Sequence, residues 1–199
     1  LQTWHGGTEA GNAVANVLFG KYNPSGKLTM TYPVNVGQIP IYYNHKNTGR
    51  PFDASKNEKY KSRYLDVQNE PLFPFGFGLS YTSFSYTDLK LDKQKMTSNS
   101  TLTVSVKLTN TGKYDGTEVA QLYIRDMVGS ITRPVKELKG FQKVFLKAGE
   151  SKILTFTLND DDLAFYNSEL KLKAEPGEFK VFVGTNSASG LEAGFELTK

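Results

Sequence analysis

The chain has 199 residues, of which 38% are hydrophobic and 13% aromatic, and its net charge is +4. That is enough material for one large domain, or a small domain with a piece of another, and the abundance of Tyr and Phe favours strands. The charge excludes an obvious nucleic-acid binder, because lysines alternate with acids, as in Lys136-Glu137-Leu138-Lys139, and form no one-sided basic run. With no cysteine, disulfides, thiol catalysis and Cys-ligated metals are excluded, and no apolar run approaches a membrane span, so membrane insertion is not expected.

The opening Leu1-Gln2-Thr3-Trp4-His5 has neither a starting Met nor a basic leader, and reads as the middle of something larger. A helix is expected over 8–20. Ala10, Ala13, Val14, Val17 and Leu18 fall on one face of a 3.6-residue period, with Thr8 as N-cap, Glu9 at the positive dipole end and Gly20 as stop. After the turn Asn23-Pro24-Ser25-Gly26, the alternation of Leu28, Met30 and Tyr32 predicts a short strand ended by Pro33. One helix and one strand cannot form a core, so residues 1–33 are read as the C-terminal remnant of an α/β domain.

Residues 34–80 carry prolines at 40, 51, 71 and 74 and glycines at 37, 49, 76 and 78. They are too rich in Tyr and Phe to be disordered, and are expected to form an ordered strap between two domains. From residue 81 to 199 the pattern is all-β. Phe84–Leu91, Leu102–Leu108, the run around Val119–Tyr123, Leu138–Phe145, Ile153–Leu158, Leu170–Leu172 and Phe179–Val183 are separated by turn signals, and Phe195 and Leu197 close the set. The expected fold class is therefore mainly β: an immunoglobulin-like or fibronectin type III-like sandwich behind a linker and an α/β remnant.

Candidate chemistry is sparse. Glu9 sits among glycines beside Trp4 and His5 and could be a carboxylate in a sugar site; its plainer reading, a first-turn acid favoured by the helix dipole, is preferred. Two histidines, His5 and His45, cannot build a His-rich metal centre, so no metal and no cofactor are expected. No Gly-x-Ser-x-Gly elbow or phosphate-cradling loop occurs. The strap gathers Tyr42, Tyr43, His45, Arg50, Tyr60 and Arg63, aromatic faces and forked donors suited to sugars, though interdomain packing explains them as well.

Several runs resemble the C-terminal region of family 3 glycoside hydrolases of the β-glucosidase and β-xylosidase type. Gly7-Thr8-Glu9-Ala10-Gly11-Asn12-Ala13 and Val17-Leu18-Phe19-Gly20-Lys21-Tyr22-Asn23-Pro24-Ser25-Gly26-Lys27-Leu28 resemble the end of that family's α/β sandwich domain. Tyr42-Tyr43-Asn44, Thr48-Gly49-Arg50-Pro51 and Tyr64-Leu65-Asp66 resemble its connecting segment, and Pro71–Phe84 the entry to its fibronectin type III-like domain. Gly140-Phe141, Leu163-Ala164-Phe165-Tyr166 and Pro176-Gly177-Glu178-Phe179 continue the likeness; His5-Gly6-Gly7 departs from the proline-glycine pair many members carry. The resemblance implies an accessory region of a retaining β-glycosidase, periplasmic or secreted, whose Asp nucleophile and Glu acid/base precede the matching segments. This stretch would then hold no catalytic residue. Glu9, His45, Arg50 and Arg63 are the candidate substrate-adjacent residues, and the expected partners are upstream catalytic domains, an oligo- or disaccharide met through them, and a possible second copy of the chain. The alternative is a stand-alone β-sandwich that binds carbohydrate or a cell surface.

Overall fold

The computed structural model describes every residue except 54 and 57, which fall in the expected strap; the reading of the strap at those two positions lies outside the described residues. The first element is helix α1, Ala10–Leu18. Its cap position is Glu9, with no side-chain cap, so Thr8 is not the N-cap expected from the sequence. Gly20 does end it, with φ 77°, the left-handed conformation that glycine takes without steric cost. No residue of α1 is buried, and Leu18 and Phe19 are 62% and 85% exposed. The amphipathic pattern is real, yet Val14 and Val17 on its apolar face are only half-buried.

The expected strand over 27–32 does not form a strand. The segment runs extended against residues 72–77, held by Leu28 N–H to the Phe77 carbonyl, Gly76 N–H to the Leu28 carbonyl and the Tyr32–Phe73 bridge. A strand needs a continuous neighbour to complete its ladder, and this one meets its partner only at these points.

The β region is a two-layer sandwich. Sheet one has the order β1-β3-β6, from Phe84–Leu91, Leu102–Asn110 and Ser151–Leu158. Sheet two has the order β2-β10-β9-β4-β5, where β2 is Lys95–Thr97, β4 Gly116–Asp126, β5 Glu137–Leu146, β9 Gly177–Asn186 and β10 Ser189–Thr198. All neighbours are antiparallel except β2 with β10. Between β6 and β9 lie the short helix α2, Asp160–Leu163, and a two-residue ladder of β7, Phe165–Tyr166, with β8, Leu172–Lys173. The Leu170–Leu172 strand of the sequence reading shrinks to this ladder, because Leu170 takes φ 58° at a turn.

Alternation builds the core. Leu102, Val104, Val106 and Leu108 of β3 and Leu154, Phe156 and Leu158 of β6 face Leu122, Ile124, Leu146, Val181, Val183, Phe195 and Leu197 of sheet two. Fully burying each such side chain contributes about 1.5–3 kcal/mol. In β4, Gln121 and Tyr123 point away from this core and are nonetheless 3% and 1% exposed. The cover on that side is the strap: Tyr43 stacks on Phe75 at 4.5 Å and meets Tyr123 edge-on at 5.7 Å, and the Gln121 amide donates to the Gly76 carbonyl at 3.1 Å. Tyr43, Phe75 and Gly76 of the strap thus lie across sheet two. Not all its aromatics pack: Tyr42 and Tyr60 are 50% and 83% exposed.

Candidate functional site

Between the strap and the outer face of β4 and β9 lies an open groove of about 890 Å³. Its walls are strap residues, including Tyr42, His45, Arg63 and Tyr64, and its floor includes Arg125, Lys136, Lys180 and Phe182. Sheet register places Arg125 of β4 directly opposite Lys180 of β9, and Lys180 is neutralised by Glu192 of β10 at 3.1 Å. Lys136 is held half-buried, its ammonium 4.2 Å from the Phe182 ring centre and donating to the Ser187 carbonyl at 2.7 Å. Burial pulls its pKa below the ordinary lysine range; Glu192 opposes the shift and Arg125 adds to it.

The structure brings two of the four candidate residues together here. His45 lies on the groove wall, its backbone carbonyl accepting from Val135 N–H at 2.9 Å, while Arg63 rides over the Phe52 ring at 5.4 Å. Arg50 stands outside that lining, at the neck of an exposed loop closed by Ser62 N–H to the Arg50 carbonyl and by the Thr48–Ser62 hydroxyl pair at 2.7 Å. Beyond this neck Leu65 is 95% exposed.

Glu9 is elsewhere. It lines a shallow, largely apolar cleft of about 590 Å³ along α1, and among the described residues it is the one acid there. From the cap position of α1, its carboxylate accepts from the Asn12 amide three residues on.

Two clusters were not read from the sequence. Arg133 lies on the Phe165 ring at 4.0 Å and pairs with Glu137 at 2.7 Å and Asp126 at 3.5 Å, pinning the β4–β5 loop. Burial raises the Asp126 pKa, Arg133 opposing. The signal available was the Arg133–Glu137 spacing within a Gly/Pro loop, a weak one. The second cluster joins Lys27, Tyr86, Glu118 and Thr185 from four separate segments, and spacing alone gives no hint of it.

Residues 1–81 match the sequence profile described as "Glycosyl hydrolase family 3 C-terminal domain", and residues 118–187 that of "Fibronectin type III-like domain". A periplasmic β-glucosidase of Salmonella typhimurium is 52% identical over 99% of this chain, which covers 26% of that protein. A β-xylosidase of Formosa agariphila is 50% identical over 94% of the chain and 25% of its own length. Among solved structures, the β-glucosidase of Listeria innocua in complex with glucose superposes with a TM-score of 0.94 at 46% identity, over 98% of this chain and 27% of that one. The chain thus spans about a quarter of the length of the relatives it matches.

Proposed function

We propose that this chain, which belongs to the family 3 glycoside hydrolases as their C-terminal region, is the accessory part of a retaining β-glycosidase acting on β-glucosides or β-xylosides from the non-reducing end. The reaction needs an Asp to attack the anomeric carbon and a Glu to protonate the leaving oxygen, two carboxyl groups about 5 Å apart. Both belong to the preceding part of the longer chain. The observation that carries this reading is the extent of the likeness: nearly all of this chain is matched, but only a quarter of its relatives. With this proposal goes a division at about residues 33 and 80 into an α/β remnant, a strap and a sandwich. Its role is to hold the catalytic domains together and to bring the strap to the rim of the sugar pocket. The enzyme acts in the periplasm or outside the cell, in keeping with the named location of the Salmonella relative.

His45, Arg50 and Arg63 of the strap, with Glu9 before α1, are the substrate-adjacent residues of this proposal. In the enzyme that contains this chain, Arg50→Ala and Arg63→Ala are expected to raise KM about 10-fold or more with kcat little changed, the loss of one hydrogen bond from a charged donor. Unchanged KM in both would remove the strap from the sugar site. A second reading, a carbohydrate- or surface-binding sandwich, is favoured by Phe141 and Phe145, which are 66% and 59% exposed on one face of edge strand β5. Titration of the chain with soluble glucans and xylans separates the two: saturable binding lost in Phe141→Ala favours the second.

A further inference from the structure

A carboxylate is buried inside the sandwich. Glu118 is on the core-facing side of β4, two residues before Ala120 and four before Leu122, and is 3% exposed. Tyr86 of β1 and Thr185 of β9 face the same interior, and both hydroxyls donate to Glu118 Oε1, at 3.2 and 2.7 Å. Neither is a counter-ion. The positive charge comes from Lys27, far away in sequence, whose Nζ lies 3.0 Å from Oε1 and 3.2 Å from Oε2 of Glu118 and donates to the Thr185 hydroxyl at 2.8 Å. The side chains of the pair are 12% and 5% exposed.

A carboxylate taken out of water without a partner is among the costliest things a core can contain. Sheet one and sheet two between them supply Glu118 with hydroxyls alone among the described residues, and the segment 23–28 supplies the cation. The same segment is fixed at two further points. The Asn23 amide donates to the Asp115 carbonyl at 2.9 Å while its oxygen accepts from the Ser80 hydroxyl at 2.8 Å and Tyr81 N–H at 2.9 Å. Gly78 passes so close to Gly26 that a Cβ there would lie 2.4 Å from the Gly26 carbonyl oxygen.

We propose that Lys27 is a latch: the sandwich is completed by the segment that precedes the strap, and a displacement of that segment is felt directly in β1, β4 and β9. The sandwich is therefore not a portable unit, and α1, five residues before Asn23, is held on a short tether to a rigid body. This does not rest on the glycosidase reading, since it concerns the stability of the chain alone.

The test is a double-mutant cycle in the full chain with Lys27→Met, Glu118→Gln and the pair, read by thermal unfolding and amide exchange. Lys27→Met leaves the carboxylate unpaired and is expected to lower Tm by about 10 °C. Adding Glu118→Gln removes the orphaned charge while keeping an acceptor for Tyr86 and Thr185, and is expected to restore at least half of the loss. Amide exchange in Lys27→Met should accelerate at 116–120 and 183–186 as well as at 23–33. Additive losses, a Tm drop under about 2 °C, or faster exchange confined to 23–33 would each overturn the latch. Should Lys27→Met fail to fold, a folded double variant supports the latch, and an unfolded one overturns it.

Discussion

Lys136 shows how one side chain joins groove and fold. Its ammonium is half-buried over Phe182 and gives up water for a carbonyl and a ring face. Burial lowers its pKa from the ordinary 10.5, so the unfolded chain holds this proton more tightly than the folded one. Stability therefore rises with pH across the window between the lowered value and 10.5. The buried hydroxyls of Tyr86 and Tyr123 shift the other way, burial holding both protonated above the usual tyrosine range. The comparison that isolates Lys136 is the difference between the parent chain and Lys136→Met in urea unfolding from pH 8 to 10.5. The parent should gain relative to the variant as pH rises; a difference independent of pH contradicts the assignment. Sequence gave no sign of this environment, because Lys136 lies in an alternating charge run that reads as a solvated face.

At the scale of elements, the contacts of residues 34–80 were not legible. Their aromatics announce order, but which sheet face they cover depends on Gln121 and Tyr123, positions that alternation assigns to solvent. The fixing point is Gly76, at φ 79°, where a Cβ would come within 2.0 Å of the Gln121 amide oxygen. Gly76→Ala is expected to cost about 3 kcal/mol, from the left-handed backbone and the disturbed buried amide together. Gly49→Ala, with nothing within 4 Å, should change stability by less than about 0.5 kcal/mol in chemical denaturation. Equal effects would mean that the strap is not clamped at Gly76. Strand β2 and helix α2 are among the elements that escaped the sequence reading. Strand β2 has three residues with Met96 alone buried, too short to alternate. Helix α2 has one turn, and its signal was the Asn159–Asp162 capping box, in which the Asp162 N–H donates to the Asn159 side chain at 3.1 Å. Helix α1 was found from its period, but the period cannot say whether the apolar face is covered. Phe19→Ser should leave the chain's Tm unchanged, because the ring is 85% exposed, and should destabilise the longer enzyme if its preceding layer packs there.

At the scale of the whole molecule, the sandwich could be read from strand alternation, since Leu102–Leu108 and Phe179–Val183 face one core in the structure. What joins it to the first 33 residues could not. Lys27 and Glu118 are 91 residues apart and carry no local pattern. The family likeness depended on ordered motifs rather than on any single site, and Glu9, the one tempting acid, is engaged with Asn12 beside a largely apolar cleft. As proposed, the chain is a scaffold for preceding domains, and its first segment is tied to the sandwich by the buried Lys27–Glu118 pair. The most direct check is a turnover assay of the purified 199-residue chain on aryl β-glucosides and aryl β-xylosides, beside the enzyme that contains it. Hydrolysis by the longer enzyme and none by the chain is expected; turnover by the chain, abolished by Glu9→Gln, would place the catalytic acid within these residues instead.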